Sequence, residues 1–151
     1  MIGRLLHAGV FAFQALRRSI WYFTEPDAVG VHGIALTPAG KIVLVWLSYA
    51  AGWRLPGGGK KKAEDDRTAM IRELGEEIGL CGYDSIDRVT SFHHRPDRRI
   101  GKGTLFVVRG VRYRPHWSIE VKDVGEFCLD DLPQSTAKIT RQLLAVAASS
   151  L

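Results

Sequence analysis

Two cysteines in 151 residues, Cys81 and Cys128, stand far apart and in no CxxC spacing. A disulfide scaffold needs more of them, and a thiolate zinc site needs closer partners. Free thiols instead fit a reducing compartment, so a cytoplasmic location is expected. Nor does any apolar run reach the roughly 20 residues that cross a bilayer. The N-terminal stretch MIGRLLHAGVFAFQALRRSIWYF comes nearest, but His7, Gln14, Arg17 and Arg18 interrupt it. No small-residue cleavage site follows it cleanly, which argues against a secretory signal. Internal repeats, low-complexity tracts and the GxxxxGK[ST] phosphate loop are absent as well.

What is present suits one compact domain. Hydrophobic residues make up 46% and charged residues 25%, at a formal net charge of +5. A basic balance favours a polyanionic substrate or partner such as a nucleotide, RNA or anionic lipid, although a merely basic surface satisfies it too. At about 100° per residue, Leu5, Gly9, Ala12, Leu16 and Ile20 share one face of an N-terminal helix, opposite His7, Gln14 and Arg18 with Phe11 among them. Such an amphipathic helix can dock on its own domain, on a second copy in a homodimer, or peripherally on a membrane. Stable membrane insertion is not expected. Residues 1–27 are read as this helix and a linker, and residues 28–151 as the main domain.

Along that domain, VGVHGIALTPAGKIVLVWLSY reads as two strands joined by a turn at TPAG. GWRLP is a short extended piece, and GGGKKKAEDD is a loop by composition. A helix is expected from about Asp65 to Gly79, because Met70, Leu74 and Ile78 recur at i, i+4 and i+8. Asp65 and Asp66 suit its positive N-terminal dipole end, and Gly79 suits its stop. YDSIDRVTSFHH and GTLFVVRGVRY read as strands flanking the basic loop RPDRRIGKG, and KDVGEFCLDDLP holds one more. QSTAKITRQLLAVAA closes the chain as a helix, with Ser135 or Thr136 as its cap. Strands with helices at the start, middle and end give an α/β domain, helices packed on a central mixed sheet.

RELGEEIGL sets Glu73, Glu76 and Glu77 within little more than one turn. At 3.6 residues per turn, Glu76 lies about 60° to one side of Glu73 and Glu77 about 40° to the other. Like charges at this spacing destabilise a helix by roughly 0.2–0.5 kcal/mol per pair. A solvated acidic face is one resolution. A divalent cation such as Mg²⁺, held by carboxylate oxygens, is the other. LPGGGKKKAE, just before, adds glycines that allow close backbone approach and lysines that suit anionic phosphates. Loop and helix together suggest binding and cleavage of a phosphate-containing molecule.

From Gly58 the chain reads G-x5-E-x7-R-E-L-x-E-E-x-G-L through Glu64, Arg72, Glu73, Leu74, Glu76, Glu77, Gly79 and Leu80. This resembles the signature box of the Nudix hydrolases at every fixed position, over 23 residues, 58 to 80. The resemblance extends to about residues 28 to 149 and implies an α/β/α sandwich, with the N-terminal helix as an extra. It implies Mg²⁺-dependent hydrolysis (Mn²⁺ as a substitute) of a nucleoside diphosphate linked to another group. Nucleotide sugars, ADP-ribose-like compounds and nucleoside triphosphates are the leading substrates. Glu73, Glu76 and Glu77 would be metal ligands, joined by a backbone carbonyl at Gly57–Gly58, with Gly58 the chosen position. Arg72 would orient the carboxylates, and Glu64 would brace the loop. The family often has glycine before this glutamate, where this chain has Ala63. The general base would be a box glutamate or an acid on a later loop, for which Glu120 and Asp123 are both candidates.

Outside the box, Arg54, Lys60, His93 and Arg95 are candidate substrate contacts. Arg98, Arg99 and Lys102 are either phosphate contacts or part of a solvated loop. Trp46 and Trp53 offer stacking surfaces, although Trp53 beside Leu55 reads better as core. Two alternatives stand beside the leading function: removal of pyrophosphate from RNA 5′ ends, and a silent domain that binds nucleotide or RNA. The three intact glutamates argue against silence.

Overall fold

The computed structural model describes residues 29–94 and 101–151. The expected N-terminal helix, Arg95 and the basic loop through residue 100 lie outside the described residues. The first strand, β1 (Val29–Leu36), turns back into β2 (Ile42–Leu47), with Gly40 N–H donating to the Thr37 carbonyl at 2.8 Å. Then come β3 (Trp53–Arg54), β4 (Gly57–Gly59), helix α1 (Asp66–Ile78) and β5 (Leu80–Gly82). Strands β6 (Ser85–His94), β7 (Gly101–Arg109), β8 (Arg112–Tyr113) and β9 (Val121–Phe127) precede helix α2 (Lys138–Val146) and a short 3₁₀ turn, Ala148–Ser150.

Seven of the strands form one mixed sheet, in the order β3-β2-β1-β7-β6, with β9 on the other edge of β2. Only β1 and β7 pair in parallel; the other pairs are antiparallel. Alternation along each strand divides the core in two. Val31, Ala35, Val43 and Val45 pack with Met70, Leu74 and Ile78 of α1. Ile34, Leu36, Ile42 and Leu44 pack with Leu143 and Leu144 of α2. The result is an α/β/α sandwich.

Helix α1 follows its local signals. The Asp65 carboxylate caps it by accepting from Thr68 N–H at 3.0 Å, and Gly79 ends it in the left-handed conformation at φ 72°. Any side chain at Gly79 would also strike the Arg114 carbonyl.

Three expectations need correction. Gly57–Gly59 is strand rather than loop, because β1 and β2 pair only at Ala35 and Leu36 and then diverge. The glycines fill the opening by pairing with Gly30, Val31 and His32. GTLFVVRGVRY is two strands rather than one: it bends at Gly110, and β8 leaves the main sheet to pair with β5. The cap of α2 is Ala137, with no side-chain hydrogen bond, rather than Ser135 or Thr136. Those residues are drawn to β3, where Ser135 O accepts from Trp53 N–H and Ala137 N–H donates to Trp53 O, both at 3.0 Å.

Candidate active site

Placing β4 beside β1 carries the glycines beneath α1. A Cβ at Gly58 would lie 2.8 Å from the Glu73 carboxylate, so only glycine leaves that group its place. The neighbouring Gly57 N–H donates to Glu77 Oε2 at 2.8 Å. The other oxygen, Oε1, is buried with no hydrogen-bond partner. Glu73 and Glu77 are both buried, whereas the Glu76 side chain is partly open to solvent.

Arg72 organises the outer side of this group. Its Nε and Nη2 hold the two oxygens of Glu64 at 2.8 and 2.9 Å, and Nη2 also donates to the Gly59 carbonyl at 2.9 Å. Nη1 donates to Glu73 at 2.6 Å and lies 3.5 Å from Glu76. One guanidinium thus joins the loop, β4 and the helix, a bridging role that suits its planar fork. Their mutual hydrogen bonds hold Glu64 below and Arg72 above their ordinary ranges, against the opposing effect of burial on each.

Burial pushes the Glu73 carboxyl up to about 7, with Arg72 opposing the rise. Burial pushes Glu77 well above the usual carboxylate range, with Glu73 and Glu120 adding repulsion. Two buried acids, close enough to resist each other's charge, want a positive neighbour.

Glu120 joins them from the segment before β9. It is buried, accepts a hydrogen bond from the Tyr49 hydroxyl at 2.8 Å, and its main chain receives Ser48 N–H at 2.8 Å. Asp123 does not join them. It pairs with Trp46 on β2, whereas Val45, which faces α1, pairs with Val124. Asp123 therefore lies on the α2 face, exposed, with the sheet between it and the glutamates.

The remaining candidates are dispersed. Arg54 pairs with Val45, which puts it on the α1 face near Tyr49. Its Nε is buried without a hydrogen-bond partner, and burial lowers its pKa, with Tyr49 opposing. Lys60 is bound to Asp66, which also accepts from Thr104 at 2.7 Å. His93 is exposed on β6 opposite Lys102. Trp53 packs edge-on against Phe127 at 4.9 Å and Trp46 at 5.6 Å, beside the α2 core.

Among the described residues no group of three or more His, Cys, Asp or Glu side chains stands ready placed to hold a metal ion. The donor set nevertheless fits a hard divalent cation. It is all oxygen, it holds two buried acids resisting their own charge, and one buried oxygen is unsatisfied. Mg²⁺ keeps several waters and needs few protein ligands, so an open group of carboxylates serves it better than a cage. Sequence reasoning missed Tyr49 and Gly57 N–H, which meet Glu120 and Glu77 across 71 and 20 residues. No spacing rule signals such pairs.

The family model for the NUDIX domain matches residues 26–145, and the chain belongs to the Nudix hydrolase family, enzymes that cleave pyrophosphate bonds in nucleotide-type substrates. It is 44% identical over 78 residues to an RNA pyrophosphohydrolase from Sphingopyxis alaskensis; the match spans 49% of this chain and about half, 48%, of that relative. A crystal structure of a MutT NUDIX hydrolase from Burkholderia pseudomallei is 26% identical, with a TM-score of 0.70 over 80% of this chain and 98% of that one. The NUDIX domain of Shewanella oneidensis NrtR, complexed with ADP ribose, shares the fold with a TM-score of 0.68 at 19% identity, over 85% of this chain and 90% of that one. No helix among the described residues is long and apolar enough to cross a membrane.

Proposed function

We propose that this chain hydrolyses the pyrophosphate bond of a nucleoside diphosphate linked to another group, with Mg²⁺ held by Glu73, Glu76, Glu77 and the Gly58 carbonyl. The carrying observation is Glu77, whose one oxygen is fixed by Gly57 N–H while the other is buried and unsatisfied. When bound, the cation neutralises phosphate charge and lowers the pKa of a water. Arg72 holds Glu73 in place and ties it to the loop through Glu64. Glu120 is the proposed base, because it alone of the two candidates lies with the buried glutamates. Its carboxylate takes the proton of the attacking water, and Tyr49 fixes one of its oxygens. Arg54, on the same face, is the proposed contact for a substrate phosphate or ring.

Nucleotide sugars, ADP-ribose-like compounds and nucleoside triphosphates are the first substrate group. A second reading, an RNA 5′-pyrophosphohydrolase, is favoured by the Sphingopyxis relative and by the net charge of +5. A cytoplasmic setting fits the free thiols Cys81 and Cys128. The test is a Mg²⁺-dependent hydrolysis panel over these nucleotides and 5′-triphosphorylated RNA. Turnover abolished by Glu77→Gln supports the assignment, and full activity in that variant overturns it.

A further inference from the structure

The segment 114–120, RPHWSIE, is anchored at both ends. Arg114 N–H donates to the carbonyl of Gly79, the α1 cap, at 2.9 Å. At the other end Glu120 is held by Tyr49, while Ser118 Oγ accepts from Glu120 N–H at 3.1 Å and Val121 N–H at 3.2 Å. Between these anchors Arg114, Pro115, His116 and Trp117 all face solvent. The Trp117 side chain is 80% exposed, while Ile119 is 45% exposed.

An indole left this open gains nothing from the core, and the chain around it is stiffened by Pro115 and the Ser118 turn. Three residues of chain reach at most about 11 Å, so Trp117 stands within about one nucleotide of the buried Glu120. Both large apolar side chains stand exposed on a short segment that also carries Arg114 and His116. A protein partner usually takes several hundred Å² of apolar patch. A flat nucleobase fits a single exposed indole better.

We propose that Trp117 is the stacking platform for the base of the substrate. This rests on the reading that the substrate is a nucleotide. Bases stack on an exposed indole with little regard to identity, since each has a π-face. Trp117 thus sets affinity for base-bearing substrates without choosing among the bases.

The test uses the full chain, a nucleoside triphosphate that the wild type cleaves with Mg²⁺, and inorganic pyrophosphate as a base-free competitor. Trp117→Ala should raise KM by about 5- to 100-fold, the range set by loss of one base–aromatic stack. It should leave kcat and the inhibition constant of pyrophosphate within about twofold, and Trp117→Phe should recover most of the KM. An unchanged KM in an active enzyme overturns the stacking role alone. Equal weakening of nucleotide and pyrophosphate overturns it as well, by showing a disturbed loop. So does a change in oligomeric state with Trp117→Ala in gel filtration. If the wild type cleaves no nucleotide, the substrate reading falls, and the stacking role falls with it.

Discussion

Gly57 N–H donates to one oxygen of Glu77 at 2.8 Å, while the other oxygen of the same carboxylate is buried with no hydrogen-bond partner. A strand thus fixes the orientation of a helix side chain and leaves half of its binding capacity directed at the site. Glu77→Gln keeps the shape and an oxygen for Gly57 N–H but removes the charge. Turnover should fall by roughly 10²–10³-fold, the size of losing one preorganised electrostatic contact. Thermal melts should show the variant folded, with a midpoint in EDTA at pH 8 no lower than wild type. A large drop in that midpoint would make the effect structural.

The raised carboxyls of Glu73 and Glu77 set a pH trend for the metal-free protein. The folded state holds its protons to higher pH than the unfolded state, whose glutamates titrate near 4.5. Between about 4.5 and 7, where Glu73 titrates, the folded state binds more protons, so stability falls as pH rises. Melting in EDTA should therefore weaken from pH 5 to pH 8, and Mg²⁺ should restore more at pH 8 than at pH 5. An equal shift at both pH values would contradict this.

Gly58 leaves no room for a side chain beneath Glu73, whose carboxylate would lie 2.8 Å from an added Cβ. Gly58→Ala should push that carboxylate aside. A displacement of about 1 Å is enough to lower turnover by roughly 10²-fold. Steady-state kinetics with circular dichroism would check it: activity near wild type in a folded variant would show that Glu73 is free to shift without consequence.

Ala63 adopts φ 63°, the only described residue other than glycine with positive φ. An L side chain there costs about 1–2 kcal/mol, partly offset by the smaller chain entropy of alanine when unfolded. Ala63→Gly should stabilise the protein by about 0.5–1 kcal/mol in urea denaturation. Loss of stability would mean that the methyl group makes a compensating contact.

Arg72→Lys keeps the charge and loses the fork that holds both oxygens of Glu64. A lysine cannot reach Glu64, Glu73 and the Gly59 carbonyl together. Mg²⁺ affinity and turnover should drop by about 10–100-fold, as for other residues that orient metal ligands. Metal titration followed by activity would test it, and an unchanged affinity would remove Arg72 from that role.

Much of the site was legible because its rules are local. Helix periodicity places Met70, Leu74 and Ile78 inward, and the same spacing gathers Glu73, Glu76 and Glu77. Asp65 and Gly79 end the helix through contacts within four residues of themselves. Composition misled at Gly57–Gly59, since glycine-rich sequence usually marks loops, whereas here the diverging strands needed a partner for β1.

Local sequence rules alone set the carboxylate-bearing helix α1, its caps and the spacing of its carboxylates, since each depends on neighbours a turn away. Tertiary packing was needed to bring Glu120 to those carboxylates and to keep Asp123 away. Side chains alternate across a strand, so the face each residue takes depends on register with a distant partner. That register pairs Trp46 with Asp123, and Tyr49 then meets Glu120 across 71 residues.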